Sequence, residues 1–100
     1  KELDLDLLRE IREALPCAIS LHGGSGTPLH YFEEAVKIGV TKININSDMR
    51  VAFRNTVEKV LKENPDEFAL VKLMDEVKDA VQVVVEEKLK AFGAVGKAVK

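Results

Sequence analysis

Two short apolar runs, each opening into a cluster of polar side chains and separated by one helix-length segment, constrain this chain more than any other feature. The first is Ala18-Ile19-Ser20-Leu21, which delivers His22 and then the loop Gly23-Gly24-Ser25-Gly26-Thr27. It is too short for a helix and glycines stop it, which reads as a buried strand. Side chains alternate along a strand, so Ser20 and His22 share one face while Ile19 and Leu21 share the other. The second run, Val40 to Ile45, exits through Asn44-Ile45-Asn46-Ser47-Asp48, and Asn44 and Asn46 again fall on one face. Strand, helix, strand in that order predicts a right-handed crossover and a parallel pair.

The rest of the chain reads as helices. Leu3, Leu5, Leu7, Leu8, Ile11 and Leu15 predict an amphipathic helix from about Asp4 to Leu15, which Pro16 ends. Thr27 is the expected N-cap of the next helix, with Pro28 in its first turn. That helix carries Phe32, Ala35, Val36 and Ile38, and Gly39 fits the left-handed position past its end. Ser47 or Asp48 is expected to cap a third helix whose broad apolar face holds Val51, Ala52, Phe53, Val57, Val60 and Leu61. Asn64-Pro65-Asp66 breaks it. A fourth helix, from about Leu70 to Phe92, repeats Leu73, Met74, Val77, Ala80, Val81, Val84 and Leu89, and Gly93 and Gly96 close it. Its apolar density from Val81 to Val85 exceeds one buried stripe, so it packs on a neighbouring subunit, on a missing part of the fold, or as an ordinary core helix.

The fold class is therefore α/β, with a difficulty. Two parallel strands leave both outer edges of the sheet unpaired. The expectation is that other copies of the chain complete the layer, or that these 100 residues are a piece of a larger fold. With 46% hydrophobic residues, 100 positions support one small globular unit or such a piece, not two independent domains. Fifteen basic against 17 acidic side chains leave a formal charge of −2, which supplies no footprint for nucleic acid. The single Cys17 excludes an internal disulfide, is expected to be a buried strand residue, and favours a reducing compartment. No apolar run reaches the roughly 18 residues of a membrane span, so the expectation is a soluble, cytoplasmic chain.

Carboxyl ends of parallel strands are where α/β proteins bind ligands, because the next helix points its first N–H groups there. Both polar exits lie at such ends. Ser25 with the amides of Gly24 and Gly26, and Ser47 with the amides around Asp48, read as two donor clusters suited to one phosphate. His22 beside such a nest, with the carboxamides of Asn44 and Asn46 nearby, reads either as hydrogen-bonded structure or as a metal ligand. An open zinc site needs about three protein ligands, so the chain would supply one of them. His30, next to Tyr31 on the second helix, reads as solvent-facing. Three other motifs fail. Gly24-Ser25-Gly26 lacks the third glycine and ribose-binding acid of a dinucleotide fingerprint, no Gly-Lys-Ser/Thr makes a P-loop, and no Gly-x-Ser-x-Gly elbow accompanies His-Gly-Gly.

Leu21-His22-Gly23-Gly24-Ser25-Gly26, then Gly39-Val40-Thr41-Lys42-Ile43-Asn44-Ile45-Asn46-Ser47-Asp48, Ala52-Phe53, Asn64-Pro65 and Phe92-Gly93-Ala94-Val95-Gly96-Lys97-Ala98 together resemble the C-terminal part of class II fructose-bisphosphate aldolases. The closely related tagatose-bisphosphate aldolases share most of these motifs. The resemblance implies a metal-dependent (β/α)8 TIM barrel of which residues 1–100 are the incomplete last third, with strands seven and eight, their helices and a C-terminal helix. It implies His22 as one of three histidine ligands of a zinc ion. It also implies Gly23, Gly24 and Ser25 in the loop that holds the phosphate of dihydroxyacetone phosphate, and the Gly23 carbonyl as ligand to a monovalent cation, Na+ or K+. Asn44 would touch the hydroxyketone portion of the substrate, and Asn46 and Ser47 complete the phosphate grip, Ser47 standing where threonine is common.

The implied activity is reversible cleavage of fructose 1,6-bisphosphate into dihydroxyacetone phosphate and glyceraldehyde 3-phosphate, with a carboxylate removing a carbon-bound proton. That base and the other two histidines come from earlier strands, so no catalytic residue is expected in this segment and the isolated chain is expected to be inactive. Asp48 reads as a helix cap, not as the base. Lys88 and Lys90 are not assigned to the second phosphate. The implied partners are the sugar bisphosphate and, as macromolecules, a second copy or the missing barrel. The rival reading is an inert barrel fragment that binds phosphate or self-associates.

Overall fold

A computed structural model describes residues 1–98. The elements follow the order α1 (Leu5–Ala14), β1 (Ile19–Leu21), α2 (Leu29–Ile38), β2 (Val40–Ile43), α3 (Ser47–Glu63) and α4 (Leu70–Ala91). They form two compact units. One comprises residues 1–45 with the segment from Lys88 onward, the other residues 46–87.

In the first unit, α1 begins where the Asp4 carboxylate accepts the Leu7 N–H at 3.0 Å. Such a cap is worth about 1 kcal/mol. The helix is one residue shorter at each end than its apolar spacing predicts, because Asp4 is the cap itself and Leu15 is already extended ahead of Pro16. Cys17 is exposed, not buried as expected, since β1 begins only at Ile19. β1 and β2 pair in parallel, as the crossover requires, with Ile19 opposite Val40, Ser20 opposite Lys42 and Leu21 opposite Ile43. Thr41 is the extra residue of a bulge, and its hydroxyl donates to the Ile19 carbonyl at 3.3 Å. The bulge breaks strict alternation: Val40 is buried, Thr41 and Lys42 are both exposed, and Ile43 turns back inward. β2 also stops at Ile43, two residues before its apolar run does.

α2 supplies the centre of this unit. Phe32 and Ala35 are fully buried, joined by Val40 and by Ala91 from the last turn of α4. Phe92 meets Phe32 edge-on at 5.1 Å between ring centroids, and the Lys88 ammonium stands 5.5 Å over the Phe32 ring. Gly39 ends α2 at φ 135°, and a Cβ there would come within 2.5 Å of the Arg12 Nε. Gly93 ends α4 at φ 70°, with its own N–H on the Lys90 carbonyl and the Ala94 N–H on that of Leu89. This double closure is a Schellman motif, which turns Phe92 and the residues after it out of the helix.

In the second unit, Val60 of α3 packs with Leu73 and Val77 of α4, flanked by Val57 and Met74. Asn64 closes α3, both its backbone N–H and its side-chain amide donating to the Val60 carbonyl. Only part of the predicted apolar face of α3 is covered: Val51, Phe53 and Leu61 remain about half exposed. Further along α4, Val83 is 62% exposed. No helix among the described residues is long and apolar enough to cross a membrane.

Phe32 fills the space between α2, β2 and the end of α4, so Phe32→Ala should cost about 3–5 kcal/mol. Urea unfolding of the two proteins, compared at equal m-value, measures this.

Candidate functional site at the strand exits

Within the first unit, the carboxyl ends of β1 and β2 lie side by side because the ladder continues past the strands. The Asn44 N–H donates to the Leu21 carbonyl at 2.9 Å, and the Gly24 N–H reaches back to the Asn44 carbonyl at 3.4 Å. Asn44 is thus held at both sides of His22. Its side-chain Nδ2 lies 2.9 Å from the His22 Nδ1. His22 is exposed and Asn44 half-buried, so the pair opens to solvent on the face that also carries Ser20 and Lys42.

The glycines of the loop differ in what they do. Gly23 takes φ 67° and Gly26 φ 78°, backbone that other residues adopt at a cost. Gly24 is buried, and a Cβ on it would lie 3.1 Å from Ile45 Cδ1, 3.2 Å from Phe32 Cε1 and 3.3 Å from Ile43 Cγ2. Its N–H is engaged by Asn44, so Gly24 acts as the packing point of the loop rather than as a presented donor. The Gly23 carbonyl accepts from the Lys1 ammonium, so this oxygen already faces a cation. Ser25 is half-buried and Gly26 exposed.

Thr27 departs from its predicted role. Pro28, not Thr27, occupies the N-cap of α2, and no side chain caps that helix. Thr27 is instead buried, its N–H on the Gly24 carbonyl at 3.2 Å and its hydroxyl without a hydrogen-bond partner. The Thr-Pro pair imitates a cap followed by a first-turn proline, which is why the sequence pattern misplaces it by one residue. His30 is exposed as expected and stacks on Tyr31 at 4.3 Å.

In the second unit the N-cap of α3 is Asn46, one residue before the predicted position, and its side chain makes no capping bond. Ser47 is the first helical residue and is exposed, and Asp48 sits in the first turn, where its charge complements the helix dipole. The Arg50 N–H already bonds the Asn46 carbonyl, so regular helix starts at once behind Ser47.

A zinc ion open to a ligand asks for about three protein donors. Among the described residues, no three of His, Cys, Asp and Glu gather closely enough to hold a metal. His22 fits one ligand position, with an accessible ring whose Nδ1 has the Asn44 carboxamide beside it. The residues present therefore suit one corner of a metal centre.

Known proteins resemble this chain along nearly its whole length. The family model described as fructose-bisphosphate aldolase class-II matches residues 1–97. A fructose-bisphosphate aldolase of Streptococcus pneumoniae is 42% identical over 96% of the chain and 36% of its own length. A sulfofructosephosphate aldolase of Alkalicoccus urumqiensis is 35% identical over 97% of the chain and 34% of its own. The crystal structure of the YdjI aldolase from Escherichia coli K12 superposes with a TM-score of 0.78 at 34% identity, covering 97% of this chain and 36% of that one. The chain thus spans about a third of the length of the relatives it matches, and its helix and strand order is that of a partial barrel.

The geometry around Gly24 orders two substitutions. Gly24→Ala forces three close contacts in the middle of the unit and should cost about 1–3 kcal/mol. Gly26→Ala meets open space and carries only the left-handed penalty, about 1–2 kcal/mol. Thermal denaturation measures both costs, and in proton NMR spectra only Gly24→Ala should perturb the ring signals of Phe32.

Proposed function

Because the chain belongs to the class II fructose-bisphosphate aldolase family, we propose that residues 1–100 are the C-terminal segment of a single (β/α)8-barrel domain. Its whole carries out reversible aldol cleavage of fructose 1,6-bisphosphate to dihydroxyacetone phosphate and glyceraldehyde 3-phosphate. The observation that supports this best is the His22–Asn44 pair at the carboxyl ends of two parallel strands, adjoining a loop in which Gly23 and Gly26 take left-handed backbone.

In this reading His22 supplies one imidazole to a zinc ion, and the remaining ligands and the carboxylate base belong to other parts of the barrel. Bound there, zinc supplies Lewis-acid stabilisation of negative charge on a carbonyl oxygen. The chain's own residues bind and orient. The loop from Gly23 to Ser25 holds phosphate through N–H and hydroxyl donors, with Gly24 keeping the loop folded against Phe32. The Gly23 carbonyl, which the Lys1 ammonium contacts, takes the monovalent cation. Asn44 offers its carboxamide to the hydroxyketone portion of the substrate, and Asn46 and Ser47, at the start of α3, keep a phosphate-binding role. A second copy or the rest of the barrel covers the exposed Val83 of α4. A cytoplasmic setting agrees with the free, exposed thiol of Cys17.

The name of the Alkalicoccus urumqiensis relative favours a second reading of the substrate. That relative is named for a sulfofructose phosphate, so a sulfonated sugar phosphate is a second candidate substrate. Tagatose 1,6-bisphosphate is a further alternative of the same kind.

A chimera tests the reading. With residues 1–97 replacing the matching third of the Streptococcus pneumoniae relative, coupled assay should show aldol cleavage, and assay of each sugar phosphate identifies the preferred one. His22→Ala in the chimera should lower turnover by more than about 100-fold, beyond the effect of losing a group that merely supports a ligand. The 100-residue chain alone, with zinc added, should show no turnover. Turnover by the pure chain, or a chimera indifferent to His22→Ala, would overturn the proposal.

A further inference from the structure

We propose that Asn44 is a positioning residue for His22: its carboxamide fixes the neutral ring as the tautomer protonated on Nε2 and holds the Nδ1 lone pair toward the exit of β2. The chemistry of the two atoms dictates this. An amide nitrogen only donates, so with Nδ2 at 2.9 Å the His22 Nδ1 must accept, and a neutral ring that accepts on Nδ1 carries its hydrogen on Nε2.

The backbone makes the contact a fixture of the sheet. Asn44 is clamped by its N–H on Leu21 and by its carbonyl on Gly24, the residues on either side of the His22–Gly23 step. The register beyond Leu21 and Ile43 places residue 22 beside residue 44, on one face of a parallel pair. Carboxamide and imidazole are therefore brought together by main-chain bonds that do not depend on either side chain.

One consequence rests on the aldolase reading. The single lone pair of this tautomer is on Nδ1, so a metal that binds the neutral ring approaches from the side where Asn44 stands. The amide and the metal compete for one nitrogen, and the carboxamide that yields it is already beside the ligand site.

Long-range proton–nitrogen correlation spectra of the nitrogen-15-labelled 100-residue chain test the proposal without any assay of activity. At about pH 8.5, His22 should show a pyrrole-like Nε2 and a pyridine-like Nδ1. His30, exposed and stacked on Tyr31, is the reference within the same molecule. Asn44→Ala should lower the Nε2–H to Nδ1–H ratio of His22 about five-fold, the equivalent of roughly 1 kcal/mol for one hydrogen bond. Asn44→Asp, which only accepts, should move the proton toward Nδ1. His30 should not change in either variant.

A wild-type His22 whose ring signals match those of His30, or show Nδ1–H, overturns the proposal before any variant is made. So does an Asn44→Ala spectrum identical to wild type. The wild-type measurement decides even if a variant fails to fold, and an active chimera with a His22 lacking this tautomer would sink the positioning role while leaving the aldolase reading standing.

Discussion

One extra residue in β2 governs what the two strand exits present. Without the bulge at Thr41, the pairing of Ile19 with Val40 would run on to set Leu21 beside Lys42 and His22 beside Ile43. With it, Leu21 faces Ile43, and His22 comes to lie beside Asn44. A shift of one residue on a pleated strand exchanges its faces. Thr41 thus turns Ile43 toward the packed side, where Val40 already lies, and leaves Lys42 with Ser20 on the open side. Its hydroxyl, donating to the Ile19 carbonyl, gives the irregularity a partner of its own.

The loop behind His22 depends on that same ladder. Gly24 sits where a Cβ would press on Phe32, Ile43 and Ile45, and its N–H is drawn toward the Asn44 carbonyl. Gly23 and Gly26 then turn the chain with positive φ on either side, and the Thr27 N–H closes the loop onto Gly24. Neither α2 nor α3 is capped by the side chain of its N-cap residue.

Much of this was legible before any coordinates. The crossover, the parallel pair, the left-handed Gly39 and the Gly93 stop all follow from local residue chemistry that tertiary packing leaves intact. Cys17 lies exposed against expectation because apolar composition alone does not tell a strand from the linker before it. Thr27 and Pro28 were displaced by one because two capping patterns share their residues, and the α3 cap moved to Asn46 for a similar reason. The bulge has only a faint trace in the sequence: Val40-Thr41-Lys42-Ile43 sets two polar residues side by side between apolar ones, where a plain strand would alternate. At the site, the residue types pointed to His22 and Asn44 as neighbours, while the bond between them needed the register that only the bulge supplies.

Both strands of so narrow a sheet are edge strands, each with one flank of peptide groups turned away from its partner. An outer flank of this kind is a template for whatever extended backbone arrives, wanted or not. Here the β2 flank belongs to a strand kinked at Thr41 and carrying the ammonium of Lys42, two features that discourage casual zippering. Any strand that pairs along that flank has to follow the kink and tolerate a fixed positive charge.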